Sequence, residues 1–148
     1  MNIMKNFGVR LKEFMKENEL NSTELANAIG INRSNISKYL NGVTLPNYDT
    51  LLSLVNFFDC SADYLLGLTE IYTENVSFRI VSEPFYKRLR YDIKYCNSSQ
   101  YALEKSKAFS KSQIYNWING KTLPSTENLI KLAKKLKCSV DFLLGRTD

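Results

Sequence analysis

The chain has 148 residues, 44% hydrophobic and 24% charged, with no histidine and a formal net charge of +5. That is ordinary globular composition, and no apolar run approaches the ~18 residues a membrane span needs, so a soluble protein is expected. The opening MNIMKNFGVRLKEFMKENEL is charged and amphipathic and lacks the apolar stretch of a secretory signal, which points to a cytoplasmic location. Without histidine the commonest general base and metal ligand are gone, and no nucleophile–base pair or phosphate-cradling glycine loop is found. An enzyme is the least expected class, and no cofactor or small-molecule ligand is implied. Cys60, Cys96 and Cys138 are too widely spaced for a zinc motif or a disulfide framework and read as reduced thiols. The charge is uneven: residues 1–70 carry six basic and eight acidic residues, residues 71–148 fourteen and seven. The second half alone is basic, as suits a polyanionic partner.

In chain order, Phe7, Leu11, Phe14 and Met15 recur at helical spacing and define a first helix. Asn21 reads as the cap of a short second helix carrying Glu24, Leu25 and Ile29, which Gly30 can end through a positive φ. Asn32 can cap a third helix, Arg33 to Leu40, with Ile36, Tyr39 and Leu40 inward. Asn41-Gly42 marks a turn and Pro46 a break. Leu51, Leu52, Leu54, Val55 and Phe58 then give a fourth helix, and residues 62–66 a short fifth.

Residues 41–70 match residues 119–148 without a gap, with fourteen of thirty positions identical, so one fold is used twice at an offset of 78. The second copy keeps its last three helices and departs earlier. Glu104 stands for Ala26, Lys107 for Ile29, Ala108 for Gly30, and Asp92 falls opposite Phe14. The expected organisation is a domain over residues 1–68, an extended linker over 69–83 and a divergent domain over 84–148. Within the linker, Val76 to Ile80 alternates like a strand. Trp117 takes the place of Tyr39 and reads as core, as do Cys60 and Cys138; the run Lys131, Lys134, Lys135, Lys137 reads as a solvated helix face.

These residues resemble the phage repressor and Cro-type helix-turn-helix family. The resemblance rests on Arg10-Leu11-Lys12, on Asn21-Ser22 with Leu25-Ala26 and Gly30-Ile31, on Ile36 and Tyr39 with Asn41-Gly42, and on Cys60-Ser61 with Asp63-Tyr64-Leu65-Leu66-Gly67. It implies an all-α chain of two tandem five-helix domains with the lambda-repressor-like DNA-binding fold. Where the family often pairs an arginine in the first helix with a glutamate before the Asn-Gly turn, this chain has Met15 with Leu40 and Ile93 with Ile118. Replacing both members of a buried ion pair is tolerable, whereas losing one is costly.

The resemblance further implies sequence-specific binding of double-stranded DNA by a transcriptional regulator of repressor type. The third helix would enter the major groove and read base edges with Arg33, Ser34, Ser37 and Lys38, or in the second copy Lys111, Ser112, Tyr115 and Asn116. Phosphates would be met by Arg10, Asn21, Ser22, Asn41 and Thr44, and by Ser99, Gln100, Asn119 and Lys121. Two alternatives stay open: an antitoxin that also covers a toxin, and a chain whose second domain dimerises or binds a protein. A homodimer is compatible with each.

Overall fold

A computed structural model describes residues 2–72, 83–95 and 100–147; the alternating segment at 76–80, Cys96 and Ser99 lie outside them. The described residues form ten α-helices and no strand. Contacts divide the chain into two compact units, Met1–Phe78 and Arg79–Asp148.

In the first unit, α1 (Ile3–Glu17) starts at Asn2, whose side chain accepts from the Lys5 amide. Phe7, Leu11, Phe14 and Met15 fall on one face and are buried. Helix α2 (Ser22–Ile29) is bounded by Asn21 and by Gly30, whose φ of 75° allows the left-handed turn into the next element. Next comes α3 (Arg33–Leu40), then α4 (Tyr48–Phe58) capped by Asn47, and α5 (Ala62–Leu65) capped by Ser61. Helix α1 packs on α3 and α5, and α4 on α2 and α5, around fully buried Phe7, Leu11, Leu25, Ile36, Leu51, Leu54 and Leu65.

The second unit repeats the order: α6 (Phe85–Tyr95), α7 (Gln100–Lys105), α8 (Lys111–Ile118), α9 (Thr126–Leu136) and α10 (Val140–Leu143). Its core gathers Phe85, Leu89, Ile114, Trp117, Leu129, Leu132 and Leu143. Trp117 is core as expected, and Cys60 is buried while Cys138 is half-buried. The four lysines from Lys131 to Lys137 all face solvent.

The departures in the second copy have structural counterparts. Helix α7 stops at Lys105, two residues short of the place corresponding to the end of α2, and the left-handed residue is Lys107 with φ 59°. Glu104, at the place of the buried Ala26, sits half-exposed and accepts from Gln100. Phe109 fills the turn, its ring 5.1 Å from that of Trp117. Asp92 is fully buried, and the unit also buries Arg88, Asp141 and Arg146, with Arg146 donating to Asp141 at 2.6 Å. At the places of Asp92 and Arg146 the first unit has the apolar Phe14 and Leu68.

Candidate nucleic-acid interface

Helix α3 is held by α1 and α4. The Tyr39 ring meets Phe7 of α1 edge-on at 5.8 Å, and its hydroxyl hydrogen-bonds Thr50 of α4. Burial raises the Tyr39 pKa, and the Thr50 bond partly offsets this. From the α1 side, Gly8 comes so close that a Cβ there would lie 2.6 Å from the Tyr39 carbonyl oxygen. With Ile36 and Tyr39 fixed inward, the 3.6-residue period turns Arg33, Ser34, Ser37 and Lys38 outward. Arg33, Ser34 and Lys38 are exposed, Ser37 is half-buried, and Arg33 makes no hydrogen bond or ion pair among the described residues.

Asn32 occupies the cap position of α3 but makes no capping hydrogen bond with its side chain. The corresponding Ser110 in the second unit does cap, in a reciprocal box with Gln113. The exposed Asn32 amide therefore joins the outward set, a residue that sequence reasoning had assigned to capping alone.

The phosphate set divides. Asn41 and Thr44 are exposed in the turn after α3. The start of α2, expected to offer uncapped amides, is closed by a capping box: Asn21 Oδ1 accepts from the Glu24 amide at 2.8 Å and the Asn21 amide donates to Glu24 Oε1 at 3.1 Å. Glu24 also puts a negative charge there, which weakens the attraction of that helix end for an anion. The amide of Ser22 precedes the capped Glu24 amide and stays on the same turn.

Arg10 is placed differently from the expectation. Its side chain is 12% exposed, and its guanidinium donates to the carbonyl oxygens of Tyr64 (2.7 Å) and Thr69 (3.2 Å), pairs with Glu70 and stacks 3.8 Å over the Tyr64 ring. The guanidinium is spent inside the domain, tying α1 to the turn that follows α5. Arg88, at the same place in the second unit, lies 5.0 Å from the Phe142 ring, reaches the Gly145 carbonyl at 3.4 Å and pairs with Glu83. The offset of 78 could have exposed this shared structural task. A cation that sequence reasoning passed over is Lys5, whose backbone lies 3.5 Å from where a Gly42 Cβ would be, beside the turn after α3.

In the second unit Lys111 and Ser112 are exposed at the start of α8, and Asn116 is half-buried. Tyr115 is 52% exposed, with the Lys121 ammonium 4.8 Å from its ring centre. Asn119 donates its side-chain amide to the Tyr115 carbonyl at 2.8 Å. Gln100 is engaged with Glu104. Arg90, another residue no motif signalled, donates to the Ile118 carbonyl at 2.8 Å, a favourable place for a cation at a helix C-terminus. Among the described residues no group of three or more His, Cys, Asp or Glu could hold a metal ion, and no helix is long and apolar enough to cross a membrane.

Comparison with known proteins agrees with this geometry. A family described as a helix-turn-helix domain matches residues 8–71, and a second, described as helix-turn-helix, matches residues 97–143. The HTH-type transcriptional regulator ImmR of Bacillus subtilis (strain 168) is 38% identical over 46% of this chain and 54% of its own length. From the same organism, the uncharacterized HTH-type transcriptional regulators YobD and YqaE are 38% and 37% identical over 41% and 40% of this chain, covering 54% and 52% of their lengths. The chain thus spans about half the length of the curated relatives it matches. No solved structure matches it significantly. With a helix-turn-helix in each half, matched in both and built by the same order of five helices, the chain belongs to the Cro/repressor-type (XRE) helix-turn-helix family, carried as two tandem domains.

Proposed function

We propose that the chain is a sequence-specific regulator of transcription that binds double-stranded DNA and represses by occupying its operator. The observation that carries this reading is the outward face of α3, where Arg33, Ser34 and Lys38 stand exposed on a helix fixed by α1 and α4. A guanidinium so placed can donate two hydrogen bonds to guanine O6 and N7, worth about 1–3 kcal/mol of discrimination. Rigidity matters as much as chemistry, because a helix that could rock would not distinguish neighbouring base edges.

Asn41, Thr44, Lys5 and the Ser22 amide surround that face and are suited to phosphate oxygens, which set register without reading sequence. Arg10 has no part in this contact. In the second domain Lys111, Ser112, Tyr115 and Asn116 form the corresponding reading set, with Asn119 and Lys121 toward phosphate. Each phosphate met by a cation such as Lys5 or Lys121 adds to the salt-dependent part of the affinity.

A second reading is favoured by exposed tyrosines on α6. Tyr91 and Tyr95 lie with ring centres 5.0 Å apart and half or more of their surface in solvent, and would suit a protein contact, including a second copy of the chain. Selection of bound duplexes from a random pool, followed by footprinting, tests both readings. DNA reading by both domains gives an enriched sequence with two protected segments. A second domain that binds another protein gives one protected segment, one that pairs two copies of the chain gives two segments of the same sequence in symmetric arrangement, and the absence of any enrichment refutes the proposal.

A further inference from the structure

The two reading faces are chemically unlike. On α3 the outward residues are Arg33, Ser34, Ser37 and Lys38; on α8 they are Lys111, Ser112, Tyr115 and Asn116. The replacement of Ser37 by Tyr115 puts a large ring in the middle of a polar face, one turn from the start of the helix. The Lys121 ammonium stands 4.8 Å from the centre of that ring, where a cation–π contact can steady it. Val43, which stands at the place of Lys121, cannot do this in the first domain.

We infer that the two domains read unlike half-sites, and that Tyr115 makes the second domain select thymine through contact of its ring with the 5-methyl group. In the major groove the thymine methyl is the one apolar feature of the four bases, and an apolar side chain on a reading helix discriminates by covering it. Asn116, beside Tyr115, carries the amide that pairs with adenine N6 and N7, whereas Lys38 at the same place in the first domain favours guanine. The Lys121 ammonium beside the ring keeps donors available for a phosphate oxygen. The first domain, through Arg33, therefore prefers a guanine and the second an A·T pair, so the full site is asymmetric and fixes the direction in which the chain lies on it.

This inference rests on DNA reading by the second domain, and its test separates the two. On the duplex recovered by selection with the full chain, each thymine of the second half-site is replaced in turn by uracil, which removes the methyl and keeps the base pair. Wild type and Tyr115→Phe should each lose about fourfold in affinity at one position, the value of one buried methyl. Tyr115→Ser, which restores the residue type of the first domain, should bind the thymine and uracil duplexes equally. The exposed position makes either variant compatible with folding, checked by an unchanged melting curve. A protected second half-site with wild type indifferent to every uracil overturns the methyl contact. Loss of the thymine effect in Tyr115→Phe overturns it in favour of the hydroxyl. An unprotected second half-site, with Lys111→Ala binding like wild type, overturns DNA reading by this domain altogether.

Discussion

Gly8 offers a test in which two physical effects have opposite signs. In an exposed helix interior, Gly→Ala stabilises by about 1 kcal/mol because the unfolded glycine has more conformational freedom to lose. At Gly8 the new Cβ would stand 2.6 Å from the Tyr39 carbonyl oxygen and 3.0 Å from that of Leu40, both backbone atoms. Ordinary contact begins near 3.4 Å, so α1 and α3 must separate by roughly 0.8 Å at their closest approach. Forcing that separation costs about 1–3 kcal/mol, as overpacking generally does. The net expectation is a loss of about 1 kcal/mol, or about 4–8 °C in the melting temperature of a domain of this size. Because the displaced element is the helix proposed to read DNA, affinity for the selected duplex should also fall at temperatures where the domain is folded. Calorimetry of Gly8→Ala beside Lys12→Ala, an exposed site on the same helix, gives the comparison. Fluorescence of Trp117, the single tryptophan, should show the second domain unchanged. A raised melting temperature for Gly8→Ala would refute the argument, since it would mean that propensity outweighs the close approach.

Three further outcomes follow from the charges and the buried phenols. Arg10→Ala should destabilise the first domain by about 2 kcal/mol, the scale of hydrogen bonds to a charged group, and leave the salt dependence of DNA binding unaltered; a slope lowered by about 1 would mean that Arg10 does meet phosphate. Arg146→Leu leaves Asp141 buried without its 2.6 Å partner and should cost the second domain about 3–5 kcal/mol, read as Trp117 emission shifting at lower denaturant while the first domain unfolds as before. Burial, with a smaller contribution from the Asp49 charge, pushes Tyr48 up to about 12 from its ordinary 10.0, so the neutral phenol is favoured in the folded state. Its contribution is whole below pH 10 and is lost as pH climbs toward 12; tyrosinate absorbance should appear with unfolding of the first domain, and Tyr48→Phe should flatten that alkaline limb.

Much of the architecture was legible because local signals agreed with one another. Asn21, Gly30 and the apolar spacing of α1 and α4 each gave the element the structure contains, and the repeat carried the fold into the second half. The outward positions of α3 came from the family resemblance; of the three residues expected inward, Ile36 and Tyr39 are buried and Leu40 is half-buried. The task of Arg10 was not legible, because its partners are carbonyl oxygens 54 and 59 residues away, which no spacing within α1 could announce. Lys5 and Arg90 were hidden for the same reason, Lys5 lying beside the turn after α3 and Arg90 meeting the end of α8 through tertiary packing. The departures at Glu104, Lys107 and Ala108 were visible as conflicts with the pattern, but their resolution, a shorter α7 with Lys107 left-handed, required the backbone. Asp92 was legible as an oddity; that the second unit also buries a charged residue at the place of Leu68 became clear from burial alone.

The most direct test of the central claim is equilibrium binding of wild type and Arg33→Ala to the selected duplex and to a random one of equal length, at several salt concentrations. Loss of the bidentate guanine contact should cost roughly tenfold to a hundredfold on the selected duplex and little on the random one, collapsing the ratio between them. A ratio unchanged by Arg33→Ala would contradict the assignment of α3 as the helix that reads sequence.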